Sequence, residues 1–187
     1  SCGDWLRHFS ISADGYYNTV KDKIVALPTM YVWKMMNMGE VDIKGVDVNL
    51  STQFRLPLRM SLLLASTYSF QYAVDVTDPE AKNYKDQIPY TPRHSGTVSV
   101  TVENPWVNVS YILTAVGDRY ALPQNIDRNR IDSYIEQSIS INRDFRFRYF
   151  GLRLQGELLN LANVNYDVIQ YYPMPGRSWR LSICLSY

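Results

Sequence analysis

His8 and His94 are the two histidines of a 187-residue chain, and histidine is the commonest general base near neutral pH. Neither stands in a nucleophile motif such as GxSxG or beside an acid that would orient its ring. His94 closes the run Pro89-Tyr90-Thr91-Pro92-Arg93-His94 at a strand entry, where a structural role is the default. Asp75, Asp78, Glu80 and Asp86, with Lys82 and Lys85, crowd one connection. Such acids could hold Ca²⁺, but the EF-hand spacing is missing, so a solvated loop is expected. Cys2 and Cys184 lie at opposite ends, without a CxxC neighbour or a histidine at metal-ligand spacing. An oxidising compartment permits a disulfide between them, though no residue pattern indicates one. Neither catalysis, metal nor cofactor is expected.

The totals exclude further classes. A formal charge of +1 gives no electrostatic attraction for nucleic acid. No run approaches the ~18 apolar residues of a membrane helix, which leaves a strand-built membrane protein open. The 15 tyrosines suit strands, interfacial girdles and loop contacts alike. Ser1 to Arg7 lack the charged start and apolar core of a signal peptide, so either one has been removed or the chain is a piece of a longer one.

The elements that would position any site are strands. A first runs from about Leu6 to Val20, with Phe9, Ile11, Ala13 and Tyr17 alternating against Ser10, Ser12, Asp14 and Asn18. A second, about Met38 to Arg55, sets Val46, Val48, Leu50, Thr52 and Phe54 against Asp47, Asn49, Ser51, Gln53 and Arg55. After a turn at Leu56-Pro57-Leu58, a third shares Met60, Leu62, Leu64, Tyr68, Phe70 and Tyr72 on one face. The fourth presents Val98, Val100 and Val102, and the Asn104-Pro105 turn leads to a fifth from Trp106 to Val116. The sixth, about Asp132 to Asn142, alternates less cleanly because Gln137 falls among Ile135, Ile139 and Ile141. A seventh carries Leu152, Leu154 and Leu158, and an eighth closes the chain.

In that last strand Trp179, Leu181, Ile183, Leu185 and Tyr187 share a face opposite Arg180, Ser182, Cys184 and Ser186. At ~3.4 Å per residue and a tilt near 40° it rises roughly 21 Å, close to the ~25 Å apolar band of an outer-membrane barrel. The connections alternate long and short, with long ones around 21–37, 74–92, 119–131 and 162–176. Such asymmetry fits a barrel with short turns on one side of a membrane and long loops on the other. A soluble lipocalin-like barrel has the same alternation turned inside out, and Gly3-Asp4-Trp5 offers its GxW. A self-contained eight-stranded barrel for adhesion or anchoring also fits.

Asn160-Leu161 with Tyr166, then Pro173 and Pro175-Gly176-Arg177 before a terminal alternating strand, resembles the C-terminus of TonB-dependent outer-membrane receptors of the siderophore and vitamin B12 type. Tyr16-Tyr17-Asn18, Gly45-Val46-Asp47 and the Pro89 to His94 run extend the resemblance over most of the chain. It implies an all-β, antiparallel transmembrane segment of about eight strands, the last third or so of a receptor, with the plug domain lacking. It also implies capture of a scarce nutrient, a metal chelate or vitamin, at extracellular loops, with TonB reached only through that plug. Ligand-contact candidates are Trp33, Tyr84, Tyr120, Arg128, Arg130, Tyr171 and Tyr172, because Tyr and Trp offer flat stacking surfaces and Arg pairs with carboxylates. Trp179, Leu181, Ile183, Leu185 and Tyr187 match the signal read by the barrel-assembly machinery, and outer-membrane lipid is the remaining partner.

Overall fold

A computed structural model describes residues 5–28 and 32–187. Eight strands make one antiparallel sheet: β1 (Leu6–Pro28), β2 (Trp33–Leu56), β3 (Met60–Asp75), β4 (His94–Glu103), β5 (Asn108–Val116), β8 (Tyr134–Arg146), β9 (Gly151–Leu159) and β12 (Ser178–Ser186), in that spatial order. Two short pairs sit in the connections: β6 (Arg119–Tyr120) with β7 (Arg130–Ile131), and β10 (Asp167–Ile169) with β11 (Tyr172–Pro173). A 3-10 turn spans Asp127–Asn129. Among the described residues β1 and β12 are the edges and do not pair with each other, so the sheet is an open wall.

The register turns the sequence alternation into rows. One row runs Phe9, Thr52, Leu64, Val100, Tyr111, Ile139, Leu158, Trp179, and the next Phe54, Leu62, Val102, Val109, Ile141, Gly156, Leu181. Every apolar face read from the strands thus falls on one side of the sheet, and Gln137 joins it opposite Leu113. The other side is polar and bonded across strands. Ser69 donates to Asp47 at 2.5 Å, Thr101 and Ser110 lie 2.9 Å apart, and Asn108 reaches Asn142 at 3.2 Å. Arg153 grips Asp144 with two bonds, and Arg180 pairs with Glu157.

The loops decide which side is inside. Tyr166 crosses onto the polar face, where its ring stacks on Tyr134 at 4.1 Å and its hydroxyl donates to Glu136 at 2.8 Å. Ile88 packs on Val41 and Ala73, also polar-face positions, in a small core with Met38. The apolar face receives no such cover: Leu181, Ile183 and Leu185 are 64%, 63% and 65% exposed. A lipocalin-like barrel would bury that face, so the inside-out alternative is set aside. An uncovered apolar face this large belongs against lipid.

At one end of the sheet the turns are tight. Met60 N–H donates to Pro57 at 3.3 Å, and Leu58 and Arg59 both take φ of 61°, a mirror-image turn normally given to Asn-Gly. Asn104 Oδ1 accepts from the N–H groups of Trp106 and Val107, each at 2.9 Å. Exposed Trp5, Trp106, Phe147 and Tyr149 ring this end, the placement of an interfacial aromatic girdle.

At the other end the structure departs from the sequence reading. The connection expected over 21–37 is mostly strand, since β1 continues to Pro28 and β2 begins at Trp33, paired Lys21 to Glu40 and Ile24 to Asn37. Lys21, Asp22, Lys23 and Lys34 hide the alternation there, because cross-strand hydrogen bonds rather than burial hold the pair. The 24 residues of β2 would extend ~79 Å at ~3.3 Å each, far beyond an apolar band of ~25 Å. Gly45 serves this ladder: a Cβ there would collide with the Phe70 carbonyl and the Tyr16 ring, which lies across it from the facing strand.

Candidate functional site

Three connections at the long-loop end are stitched into one layer. The loop of residues 76–93 is organised from within by Asp75, which is buried rather than solvated as the sequence suggested. Its carboxylate accepts from Thr77 N at 2.9 Å, Thr77 Oγ1 at 2.5 Å and Asn83 Nδ2 at 2.8 Å. A carboxylate so satisfied needs no ion, and the described residues contain no cluster of three metal-ligating groups.

This loop bonds to the next, residues 117–133. Tyr90 N–H donates to the Tyr120 carbonyl at 2.7 Å, and Asn125 N–H donates to Asp86 Oδ2 at 3.0 Å. The second loop bonds in turn to the third, residues 160–177. Arg119 is only 4% exposed, and its Nη2 donates to the carbonyls of Asp167 at 2.5 Å and Val168 at 3.1 Å. Its guanidinium lies 5.5 Å from the centre of the Tyr134 ring, while its Nη1 has no partner among the described residues. Burial lowers the Arg119 pKa, and Tyr134, Tyr90 and Asp167 oppose that. Gln170 Nε2 adds a bond to the Arg128 carbonyl at 3.1 Å.

The third loop is locked by the residues that carried the resemblance. Asn160 is 2% exposed with φ of 49°. It donates to the Val164 carbonyl at 2.8 Å and the Pro175 carbonyl at 3.2 Å, and accepts from Val164 N–H at 2.8 Å. Gly176 leaves room for Asn163, whose Oδ1 would lie 2.7 Å from a Cβ at that position. That same oxygen accepts from Arg177 N–H at 2.8 Å, and Arg177 Nε donates to the Leu161 carbonyl at 3.1 Å. Burial, with the Glu136 carboxylate beside it, pushes the Tyr166 hydroxyl well above the ordinary tyrosine range, so it stays a donor.

Among the ligand-contact candidates, Arg130 lines a cavity of about 290 Å³ together with Tyr166, Asp167 and Gln170. Its guanidinium already meets Asp118 at 2.8 Å and Asp132 at 3.5 Å, both exposed pairs of small energetic weight. Arg128 is exposed on the neighbouring 3-10 turn, and Tyr171 and Tyr172 are exposed at the β10–β11 tip. Tyr120 joins the first two loops through its carbonyl. Tyr84 stands apart, in a cavity of about 230 Å³ with Asp75, Thr77 and Pro123. Trp33 opens β2, and its side chain lies outside the described residues. Arg119, Tyr134, Glu136 and Asp167 escaped the sequence reading. The sequence does mark Tyr90 and Tyr166 by motif, without revealing what they touch.

This layer roofs the polar face with tyrosines, cations and carbonyls, a surface that can stack on flat groups and bond anionic ones. A family model described as TonB dependent receptor-like, beta-barrel matches residues 3–161. No curated protein matches the chain. Among solved structures, the ferric preacinetobactin receptor BauA of Acinetobacter baumannii is similar at a TM-score of 0.71 and 12% identity, over 94% of this chain and 27% of that one. The siderophore receptor PiuA of the same species is similar at 0.66 and 16% identity, over 96% and 26%. The FrpB iron transporter of Neisseria meningitidis (F3-3 variant) is similar at 0.56 and 15% identity, over 94% and 28%. The chain spans about a quarter of the length of these structures.

Proposed function

The chain belongs to the TonB-dependent receptor-like β-barrel family, and we propose that it forms part of the wall of a receptor that takes up a ferric chelate, with energy from TonB. It is an outer-membrane barrel segment, so the long connections are extracellular and the short turns periplasmic. The family match carries the reading. The roof of stitched loops over the lumen face supports it, because a captured solute needs a preformed polar and aromatic mouth above a polar wall. The names of the similar structures, receptors or transporters for iron and siderophores, favour a metal chelate over a vitamin.

On this proposal the segment is the C-terminal part of the barrel, and a plug elsewhere in the parent receptor meets TonB. Arg128, Arg130, Tyr171 and Tyr172 contact the ligand from the second and third loops. Tyr84, Tyr120 and Trp33 contribute from the first two loops and the β1–β2 tip. The test is uptake of radiolabelled iron by cells whose only chelate receptor is the parent protein. Uptake that vanishes on deleting that gene or TonB is expected. Intact uptake without TonB overturns the energy source, and cobalamin uptake in place of iron overturns the substrate class.

A further inference from the structure

We infer that the end of the β8–β9 hairpin holds an anionic glycerophospholipid of the periplasmic leaflet, its phosphate on Arg143 and Arg148 and its chains against Phe145 and Leu152. The inference rests on the lipid-facing reading of the apolar side and on the periplasmic placement of the short turns. In β8, Ile139 and Ile141 face outward, and Arg143 takes the same face, level with Leu154 and Ile183. It is exposed and makes no ion pair among the described residues. An arginine on a lipid-facing row is costly unless it reaches the headgroups or meets an anion. Its guanidinium lies 4.7 Å from the centre of the Phe145 ring, the next outward side chain towards the turn.

The turn repeats the arrangement. Phe147 N–H donates to the Phe150 carbonyl at 2.9 Å, which leaves Arg148 and Tyr149 at the tip. Arg148 lies 5.5 Å from the centre of the Tyr149 ring, and the Phe147 and Phe150 rings stack at 4.6 Å. A guanidinium over a ring face keeps its N–H edge free, and that edge fits two phosphate oxygens. Arg146, exposed on the lumen side of the same turn, also makes no ion pair among the described residues. Asp144, the acid between these arginines, is already held by Arg153.

Depth and charge fix the occupant. From Arg143 to Phe147 is four residues, ~13 Å of strand and about 10 Å along the normal at a tilt near 40°. The site thus runs from the inner half of the apolar band down to the aromatic girdle, where acyl chains end and headgroups begin. Unpaired guanidiniums repel the ammonium of a zwitterionic headgroup and attract a headgroup of net negative charge. Arg7, Arg55 and Arg59 are exposed at the same end, also without ion pairs among the described residues. Positive charge that recurs along the rim answers a partner that surrounds the wall, as a leaflet does. The β4–β5 turn is the exception, since Glu103 is its only charged residue, and it supplies an internal comparison.

The experiment uses the full-length parent receptor, its native cysteines replaced by serine, reconstituted in vesicles. A fluorophore is placed at Leu154→Cys, level with Arg143, or at Val102→Cys, beside the β4–β5 turn. Each is quenched by nitroxide-labelled phosphatidylglycerol or phosphatidylethanolamine at equal mole fraction. Phosphatidylglycerol should be favoured about twenty-fivefold at Leu154, with no preference at Val102. Arg143→Gln or Arg148→Gln should each reduce the preference about fivefold, while Lys82→Gln, a cation removed at the loop end, should leave it unchanged. Inorganic phosphate at matched ionic strength should not compete; if it erases the preference, the hairpin binds an ion and not a lipid. Equal quenching by the two lipids at Leu154, or the same preference at Val102, overturns the site. Absence of lipid quenching at both positions removes the lipid-facing reading beneath it.

Discussion

Replacing Arg119 by alanine should free the third long loop from the second while leaving the sheet intact. The side chain makes two bonds to carbonyls from one charged nitrogen and lies over one ring. Bonds to charged groups contribute ~2 kcal/mol each and a desolvated cation–ring contact about 1.5, against about 2.5 recovered because the buried, partnerless Nη1 is gone. The balance is about 3 kcal/mol, or roughly a hundredfold in a local opening equilibrium. Hydrogen exchange reports it at the Met174 amide, which bonds the Tyr166 carbonyl at 2.9 Å inside that loop. In the parent receptor Met174 protection should fall about a hundredfold, and amides in β4 should keep theirs. Arg119→Lys should fall between, because an ammonium lacks the planar fork and the stacking face. Unchanged Met174 exchange would refute the keystone role, and equal loss in β4 would show that Arg119 supports the wall instead.

Other outcomes follow from the same geometry. Asn160→Ala strands three loop groups and should expose the 160–177 loop to surface protease in intact cells, at a local cost of about 2–4 kcal/mol; unchanged cleavage contradicts it. Leu58→Asn with Arg59→Gly should stabilise the β2–β3 turn by about 1–2 kcal/mol, because both residues sit at positive φ, read as a higher urea midpoint for the refolded receptor; no rise shows that the turn stores no strain. Tyr187→Ser should lower the receptor level in the outer membrane while Ser186→Ala does not, measured by immunoblot of membrane fractions, since Tyr187 ends the exposed apolar row of β12; normal levels would remove its role in assembly.

The wall was legible in the sequence because its signal has period two and one side must meet an apolar medium. Val46, Val48 and Leu50 against Asp47, Asn49 and Ser51 needed no structure to place. Periodicity could not say which side is inside, and that answer came from Tyr166 and Ile88 lying on the polar face. Lys21 to Pro28 was misread because a strand held by ladder bonds above a membrane carries no apolar stripe. Asp75 read as solvated because its three partners come from loop geometry that residue type does not encode. Asn160, Gly176 and Arg177 were visible as a pattern, and the structure supplies its chemistry: one clamps the loop, one leaves room for Asn163, one caps Leu161. Arg119 gave no sign, since a lone arginine in a polar loop looks the same whether exposed or buried under two carbonyls.

Single cysteines placed in turn at positions 98, 99, 100 and 101 of β4 test the central claim most directly. In the parent receptor, assembled in vesicles, each is labelled with an environment-sensitive fluorophore and quenched by nitroxide lipid. Strong quenching at 98 and 100 with little at 99 and 101 is predicted, because Val98 and Val100 face outward and Ser99 and Thr101 face the lumen. The opposite alternation, or none, would contradict a receptor wall whose apolar side meets lipid.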